Sequence, residues 1–333
     1  MQPKLAVAAR SWSLSLTLTL TLPLTFGLSV LPMVGTLATL QGATVTLHPS
    51  ADTTLLESSP LDNMGGTESV TAGTTGSQGS RTRNRGLFKF DLTGVLPAGA
   101  KITNAVVTLQ VVLVPGTAGG GSAANSTFAL HRMLKSWGEG DKLGSRGFPG
   151  DPGEGTWGFR FLPDQAWAQA GGLSGADYAA TASATKAVSG MGPYAFGSSS
   201  NLVADVQAWA DNPASNFGWM LLTQSEATSK TARGFASRED TSTPPKLVIG
   251  YTVTVPVAPQ LAQPEIRNGH LVLTFSAQAG QGYAVQSTPA LVAPNWQTWT
   301  NLVAPAGAST LTVEDPDPVP SVPGARYYRV RTQ

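Results

Sequence analysis

The sequence predicts an all-β protein: a β-sandwich followed by a smaller β-sandwich domain. Three observations predict it. With 37 Gly, 24 Pro and only 12% charged residues, the chain suits many short strands joined by turns and leaves little room for long helices. Most readable segments alternate apolar and polar residues with a period of two, which is the pattern of half-buried strands. The length of 333 residues exceeds one ordinary domain, and a proline-rich stretch at 253–263 divides the chain into two globular parts.

The first segment, 1–38, reads as a secretory signal peptide. Lys4 and Arg10 precede an uncharged apolar stretch from Trp12 to Val34, and the first acidic residue of the chain is Asp52. Its Ser/Thr-Leu alternation from Ser13 to Leu22 imitates a strand, but position and the basic start favour export. An uncleaved membrane anchor is the competing reading, since the stretch is long for a signal core. No later membrane span is visible, so after cleavage no membrane association is expected. Cleavage leaves 19 basic and 20 acidic residues, a balance that selects no partner by bulk charge and gives no reason to expect nucleic acid. There are no cysteines, which removes disulfides, thiolate metal sites and Cys nucleophiles together.

The larger domain is expected over 43–252. Ala43 to Leu47 alternates and opens the first sheet; Asp52 to Leu56 continues it, before the turn-rich run from Ser58 to Gly66. From Arg81 the parity is informative. Arg81, Arg83, Arg85, Leu87 and Lys89 share one face; Thr82, Asn84, Gly86, Phe88 and Phe90 share the other, so the phenylalanines are expected inside and the basic residues in water. Ile102 to Val114 is a long β-branched strand, and Gly119-Gly120-Gly121 reads as a hairpin-like connection into Thr127 to Leu134. The stretch from Gly138 to Ser200 is expected to be long loops with two or three short strands. Its glycines at 147, 150 and 153 mimic a collagen triplet but are too few to sustain one. Leu202, Val206 and Trp209 fit one short helical turn ending at Asn212-Pro213. Phe217 to Leu222, Gly234 to Arg238 and Lys246 to Val253 return to strand. Residues 253–263 read as a stiff extended linker, and 264–333 as a small domain of five strands.

Catalytic patterns are scarce. His48, His131 and His270 sit in unrelated contexts, and the chain has no HExxH pair and no nucleophile elbow. Glu139 and Asp141 are the nearest thing to an acid pair, but two residues apart on a Gly-rich loop they read as solvated or backbone-capping groups. The chain is therefore read as a non-enzyme with no cofactor and no assigned metal, although Asp52, Asp62 and Asn63 could gather near sheet ends around a structural calcium. Binding has more support. Arg81, Arg83, Arg85 and Lys89 would form a cationic ladder with steps of about 6 to 7 Å, suited to carboxylates or sulfates of an extended anionic glycan. Trp157 and Trp167 are expected to be exposed and able to stack on a sugar ring; core packing is their competing explanation, and a solvated strand face is the ladder's. Trp137, Trp209 and Trp219 are assigned to the core. Arg238 is expected to pair with a carboxylate such as Asp205, and Asp91 is likewise read as structural.

Several segments in order carry a resemblance. Asp52-Thr53-Thr54-Leu55, the Pro60 to Gly65 turn, Arg85 to Gly94 (RGLFKFDLTG), Trp137 to Gly140, Asp205 to Leu222 and Phe235 to Glu239 (FASRE) together resemble the DNRLRE domain, also called carbohydrate-binding module family 96, over about Thr44 to Tyr251. The resemblance implies a jelly-roll-like sandwich and polysaccharide binding, with acidic glycans as one ligand class and basic residues of the early strands involved. In the second domain, Tyr283-x-Val285-Gln286, Asn295-Trp296 and Tyr327-Tyr328-Arg329-Val330 resemble fibronectin type III-like modules of exported bacterial proteins. Two readings stay open: a secreted or cell-surface protein that holds an acidic polysaccharide, and a structural or adhesive scaffold, assembling with surface proteins, that has no sugar ligand.

Overall fold

The computed structural model describes residues 39–116, 122–144, 146–255, 257–319 and 326–333. The signal-like segment and the Gly119-Gly120-Gly121 connection lie outside the described residues. The chain divides into two compact units, one spanning Gly42–Val253 and one containing Thr254–Gln333. Both are antiparallel β-structures.

In the larger unit eleven strands form one curled sheet whose two halves face each other. One half contains Thr39–Leu47, Lys246–Val255, Lys101–Leu113, Gly192–Phe196 and Arg233–Ala236; the other contains Ala51–Leu56, Arg83–Lys89, Trp219–Thr223, Ser126–Arg132 and Ala184–Val188. The strand Ser69–Thr74 belongs to both, pairing through Ser69 to Ala72 with Arg233–Ala236 and through Gly73 and Thr74 with Asn84 and Arg83. Gly73 makes that turn of the sheet possible. Its φ is +107°, and a Cβ there would stand 2.8 Å from the backbone of Ala232, so both conformation and space require glycine.

The two halves enclose the main core. Phe88 and Phe90 point into it as the parity predicts, beside Val107, Leu109, Val111, Phe128, Trp219, Phe235 and Leu247, all fully buried. The long β-branched strand reads correctly as Lys101–Leu113. The helix is longer than the sequence suggests: Ser200–Asp211 makes about three turns, not one. Ser199 caps it by accepting a hydrogen bond from Leu202 N, and Leu202, Val206 and Trp209 bury one stripe against the sheet, with the Trp209 and Trp219 rings 4.4 Å apart. Its length follows from the apolar spacing running unbroken to Asn212-Pro213, which stops it.

A second apolar cluster lies on the opposite side of the Arg83–Lys89 strand. Leu55, Leu87, Met220 and Leu222 project there and are covered by Trp157, Trp167 and Tyr178 from the glycine-rich excursion, with Met133 from the end of the Ser126–Arg132 strand. Trp157 and Trp167 are therefore buried, 4% and 5% exposed, and not available for stacking on a sugar as expected. Trp167 Nε1 donates to Thr156 O, and Gly171 N donates to Trp157 O. The excursion is held to the sheet by these rings; without them four large side chains would face water. Trp137, assigned to the core, is half-buried and packs at the rim of this cluster, donating to Phe217 O.

The smaller unit pairs two three-stranded sheets: Glu265–Arg267, His270–Ser276 and Thr310–Pro318 in one, Gln297–Val303, Gly282–Thr288 and Tyr327–Thr332 in the other. Leu273, Phe275, Tyr283, Val285 and Val330 fill the space between. Part of the segment read as linker already belongs here. Ala262 N donates to Thr274 O and Ser276 N to Gln260 O, so residues 260–262 run along the His270–Ser276 strand. The resemblance residues meet as well: Arg329 donates to Gln286 Oε1, and its guanidinium lies 4.2 Å from the Trp296 ring centre.

Candidate functional site

The basic residues of the early strand were the sequence's candidate site, and the parity that grouped them is correct for three. Arg83, Arg85 and Lys89 lie on one face with Leu87. Arg81 does not continue the row. It precedes the strand, with φ +58°, and is exposed in the turn that follows Ser77–Gly79.

The face itself is covered rather than open. Arg85 is 7% exposed. Its Nε and Nη2 donate to both oxygens of Glu226 at 2.8 Å, and its Nη1 donates to the carbonyls of Gly171 and Gly172. The guanidinium lies 5.6 Å from the centre of the Trp157 ring and 5.8 Å from that of Tyr178. Leu87 in the middle of the row marks this cover, because an apolar residue on that face needs something to pack against. Arg83, with 37% of its side chain exposed, is gripped by Glu57 through Nε and Nη2, while its backbone N–H also donates to Glu57. That grip pulls the Glu57 carboxyl below its ordinary range. Lys89, at the other end, is half-buried.

The remaining motif segments meet in a network of polar contacts. Asn63, fully buried, donates to Glu139 O and Gly155 O and accepts from Gly65 N and Lys142 N. The turn Asp62 to Gly66 is thereby docked on the Glu139 to Lys142 loop. Gly65 has to be glycine, since a Cβ would lie 2.4 Å from two carbonyl oxygens of that loop. Glu139 Oε1 accepts from Asp52 N at 2.7 Å and from Arg238 Nε at 2.8 Å. Arg238 Nε is also 2.8 Å from Glu239 Oε1, and Arg238 N donates to Asp52 Oδ2. The partner of Arg238 is thus not Asp205 but Glu139 and Glu239. Asp205 instead accepts from Ser183 and Trp219 Nε1 and pairs with Arg132 at 3.3 Å. Asp91 is structural without an ion pair, capping a turn by accepting from Thr93 N.

Burial raises the Asp52 carboxyl well above its ordinary value, with Glu239 and Glu139 adding to the rise against the Arg238 backbone hydrogen bond. Burial raises Glu139 as well. Glu139 and Asp141 do not act as a pair. Asp141 is exposed and bonded to Lys142, whose ammonium also meets Asp151 at 2.5 Å and Glu154 at 3.5 Å. Each histidine ring contacts a backbone carbonyl, of Pro245, Ala179 and Asp315 respectively. A shallow polar pocket of about 360 Å³ lies elsewhere, lined by Arg132, Thr181, Ser183, Asn201 and Asp205 with several alanines.

Three charged residues with large structural parts were missed by sequence reading. Glu57 and Glu226 are single acids in turn-rich segments, with no pattern to link them to arginines 26 and 141 residues away. Arg233 is 1% exposed and is satisfied wholly by carbonyls, those of Ser189, Ala124 and Lys230 to Ala232. A basic residue opening the strand that carries Phe235 was the available signal. Compared with known proteins, the chain matches no family model and no curated protein sequence.

Proposed function

We propose that this chain is an exported, non-catalytic structural or adhesive module, in which the charged residues of the motif segments hold a sandwich together instead of facing a ligand. The observation that carries this reading is Arg85. A guanidinium engaged by two carboxylate oxygens and two carbonyls beneath a glycine-rich cover has no side left for a glycan, and releasing it would leave Glu226 and two carbonyls without their donor. Export rests on the basic start and long uncharged stretch of the first 38 residues.

A second reading keeps the acidic polysaccharide and moves its contacts to Arg81, Arg83 and Lys89. It is favoured by the partial exposure of Arg83, whose guanidinium lies 5.3 Å from the Trp157 ring centre. Binding of the protein to polyuronate and sulfated glycan arrays separates the two. The scaffold reading expects no retention at moderate salt. Retention that weakens about tenfold or more in an Arg81→Ala/Arg83→Ala variant, and falls with added salt, would establish the polysaccharide reading instead.

A further inference from the structure

An asparagine followed by glycine is the least protected amide in a polypeptide, because glycine has no side chain to keep its own backbone nitrogen away from the asparagine carboxamide. Asn268-Gly269 is the one such pair in the chain. It forms the turn of the smaller unit between Glu265–Arg267 and His270–Ser276, where Arg267 stands opposite His270. The φ angles of the two residues, +52° and +84°, are both left-handed, as a two-residue hairpin turn of the mirror type requires. Both residues are exposed. Among the described residues neither the Asn268 side chain nor the Gly269 N–H has a hydrogen-bond partner. The turn is tied down through Gly269 O, which accepts from Val319 N at 2.7 Å and leaves the nitrogen in water. Other asparagines are held. Asn63 and Asn216 are buried and bonded through both ends of the carboxamide. Asn84 is buried ahead of Arg85, and the exposed Asn125 precedes Ser126, a buried strand residue bonded to Thr223.

We propose that Asn268 is a site of spontaneous covalent modification, at which this unrestrained turn converts to isoaspartate and aspartate. The Gly269 backbone nitrogen, after losing its proton to hydroxide, attacks Asn268 Cγ. The Cγ–Nδ2 bond breaks, Nδ2 takes up a proton from water and leaves as ammonia, and a five-membered imide closes. Water then opens the ring. Attack at Cγ restores the ordinary main chain with an aspartate side chain; attack at the Asn268 backbone carbonyl carbon breaks its bond to Gly269 N and leaves the chain running through Cγ, as isoaspartate. The two products differ in what they do to the fold. Aspartate adds one negative charge next to Arg267. Isoaspartate lengthens the main chain by one carbon inside a two-residue turn, and the turn is what sets the register of a hairpin. The strand that depends on it is short: Glu265–Arg267 has three residues, all exposed, and pairs only with His270–Ser276 among the described strands. Isoaspartate at 268 therefore releases this edge strand and uncovers part of the His270–Ser276 strand.

The test is peptide mapping by mass spectrometry of the folded full chain, incubated in mildly alkaline and mildly acidic buffer. The peptide carrying Asn268 should gain the mass difference between amide and acid and split into two forms, isoaspartate the more abundant, at a rate that rises in proportion to hydroxide. The peptides carrying Asn63 and Asn216 should stay unchanged over the same time. Asn268→Gly, which suits a φ of +52°, should abolish the reaction and keep the turn. The aged wild type should be cut by protease between 263 and 270 sooner than fresh protein, and aged Asn268→Gly should not. Asn268 that stays intact in the folded chain, while the same peptide is converted in chain unfolded by denaturant, would overturn the proposal, as would conversion of Asn63 or Asn216 at the same rate as Asn268.

Discussion

Arg85 and Asp52 sit on neighbouring strands that pair with each other, Leu55 opposite Arg85 and Asp52 opposite Phe88, yet their surroundings are built on opposite terms. Around Arg85 the charge is balanced: one guanidinium meets one carboxylate in a two-bond grip, and the carbonyls of Gly171 and Gly172 take the remaining contacts. Around Asp52 the charge is unbalanced: Glu139 and Glu239 share the guanidinium of Arg238, Asp52 takes only the backbone N–H of that residue, and one oxygen each of Asp52 and Glu239 lacks a donor. A balanced cluster behaves as part of the core, where removing either partner is expensive. An unbalanced one is a place where neutralising a charge stabilises the fold and where a proton changes it. Burial alone therefore does not tell whether a charged residue supports the fold or strains it; the count of partners does.

The largest expected effect breaks the balanced side. Arg85→Ala strands Glu226 and two carbonyls and should lower stability by about 3–5 kcal/mol, measured by denaturant unfolding. Trp157→Ala, which uncovers the same cluster, should cost roughly 3 kcal/mol. The double variant should lose less than the sum, because the ring and the guanidinium stack on each other. Unfolding of either variant at wild-type denaturant concentrations would mean that the excursion is not part of the cooperative core.

The opposite sign is expected on the unbalanced side. Asp52→Asn should stabilise the protein near neutral pH, by about 1 kcal/mol, because it removes a buried charge with an unpartnered oxygen, measured by denaturant unfolding. The pH dependence follows from the raised carboxyls of Asp52 and Glu139. A group with a raised folded-state pKa contributes stability that is full below its unfolded value and is lost as pH rises through the folded one. Wild-type stability should thus decline as pH rises above the ordinary carboxylate range, and the decline should be smaller in Asp52→Asn; identical pH profiles would sink this account.

The smallest effect tests whether exposure scales these numbers. Arg83→Ala removes a pair as well formed as that of Arg85 but half in water, so it should cost about 1 kcal/mol or less. Because Glu57 is lowered by that pair, the contribution should be present above its unfolded value and vanish as pH falls through the folded one. A loss equal to that of Arg85→Ala would show that solvent does not separate the two arginines.

Much of the fold was legible residue by residue. The parity of Arg83 to Phe90 fixed which side chains face the main core, the run from Ile102 marked its longest strand, and Leu202, Val206 and Trp209 marked the helix. What lies over the other face was not legible. Leu87 alone hinted at it, and the residues that do the covering come from a segment whose glycines and isolated aromatics give no period to read. The same holds for the partners of the arginines, since Glu57, Glu226, Gly171 and Gly172 are brought in by chain paths that local pattern does not describe.

By itself the sequence determined the alternation of strands, the all-β class and the inward direction of Phe88 and Phe90, because these follow from backbone geometry and side-chain polarity within a few residues. Only the tertiary structure decided that Arg85 is sealed beneath a second apolar layer and that Asp52 is left short of donors. Those outcomes depend on which distant groups share a small volume, and the energy of a charge is set by that company.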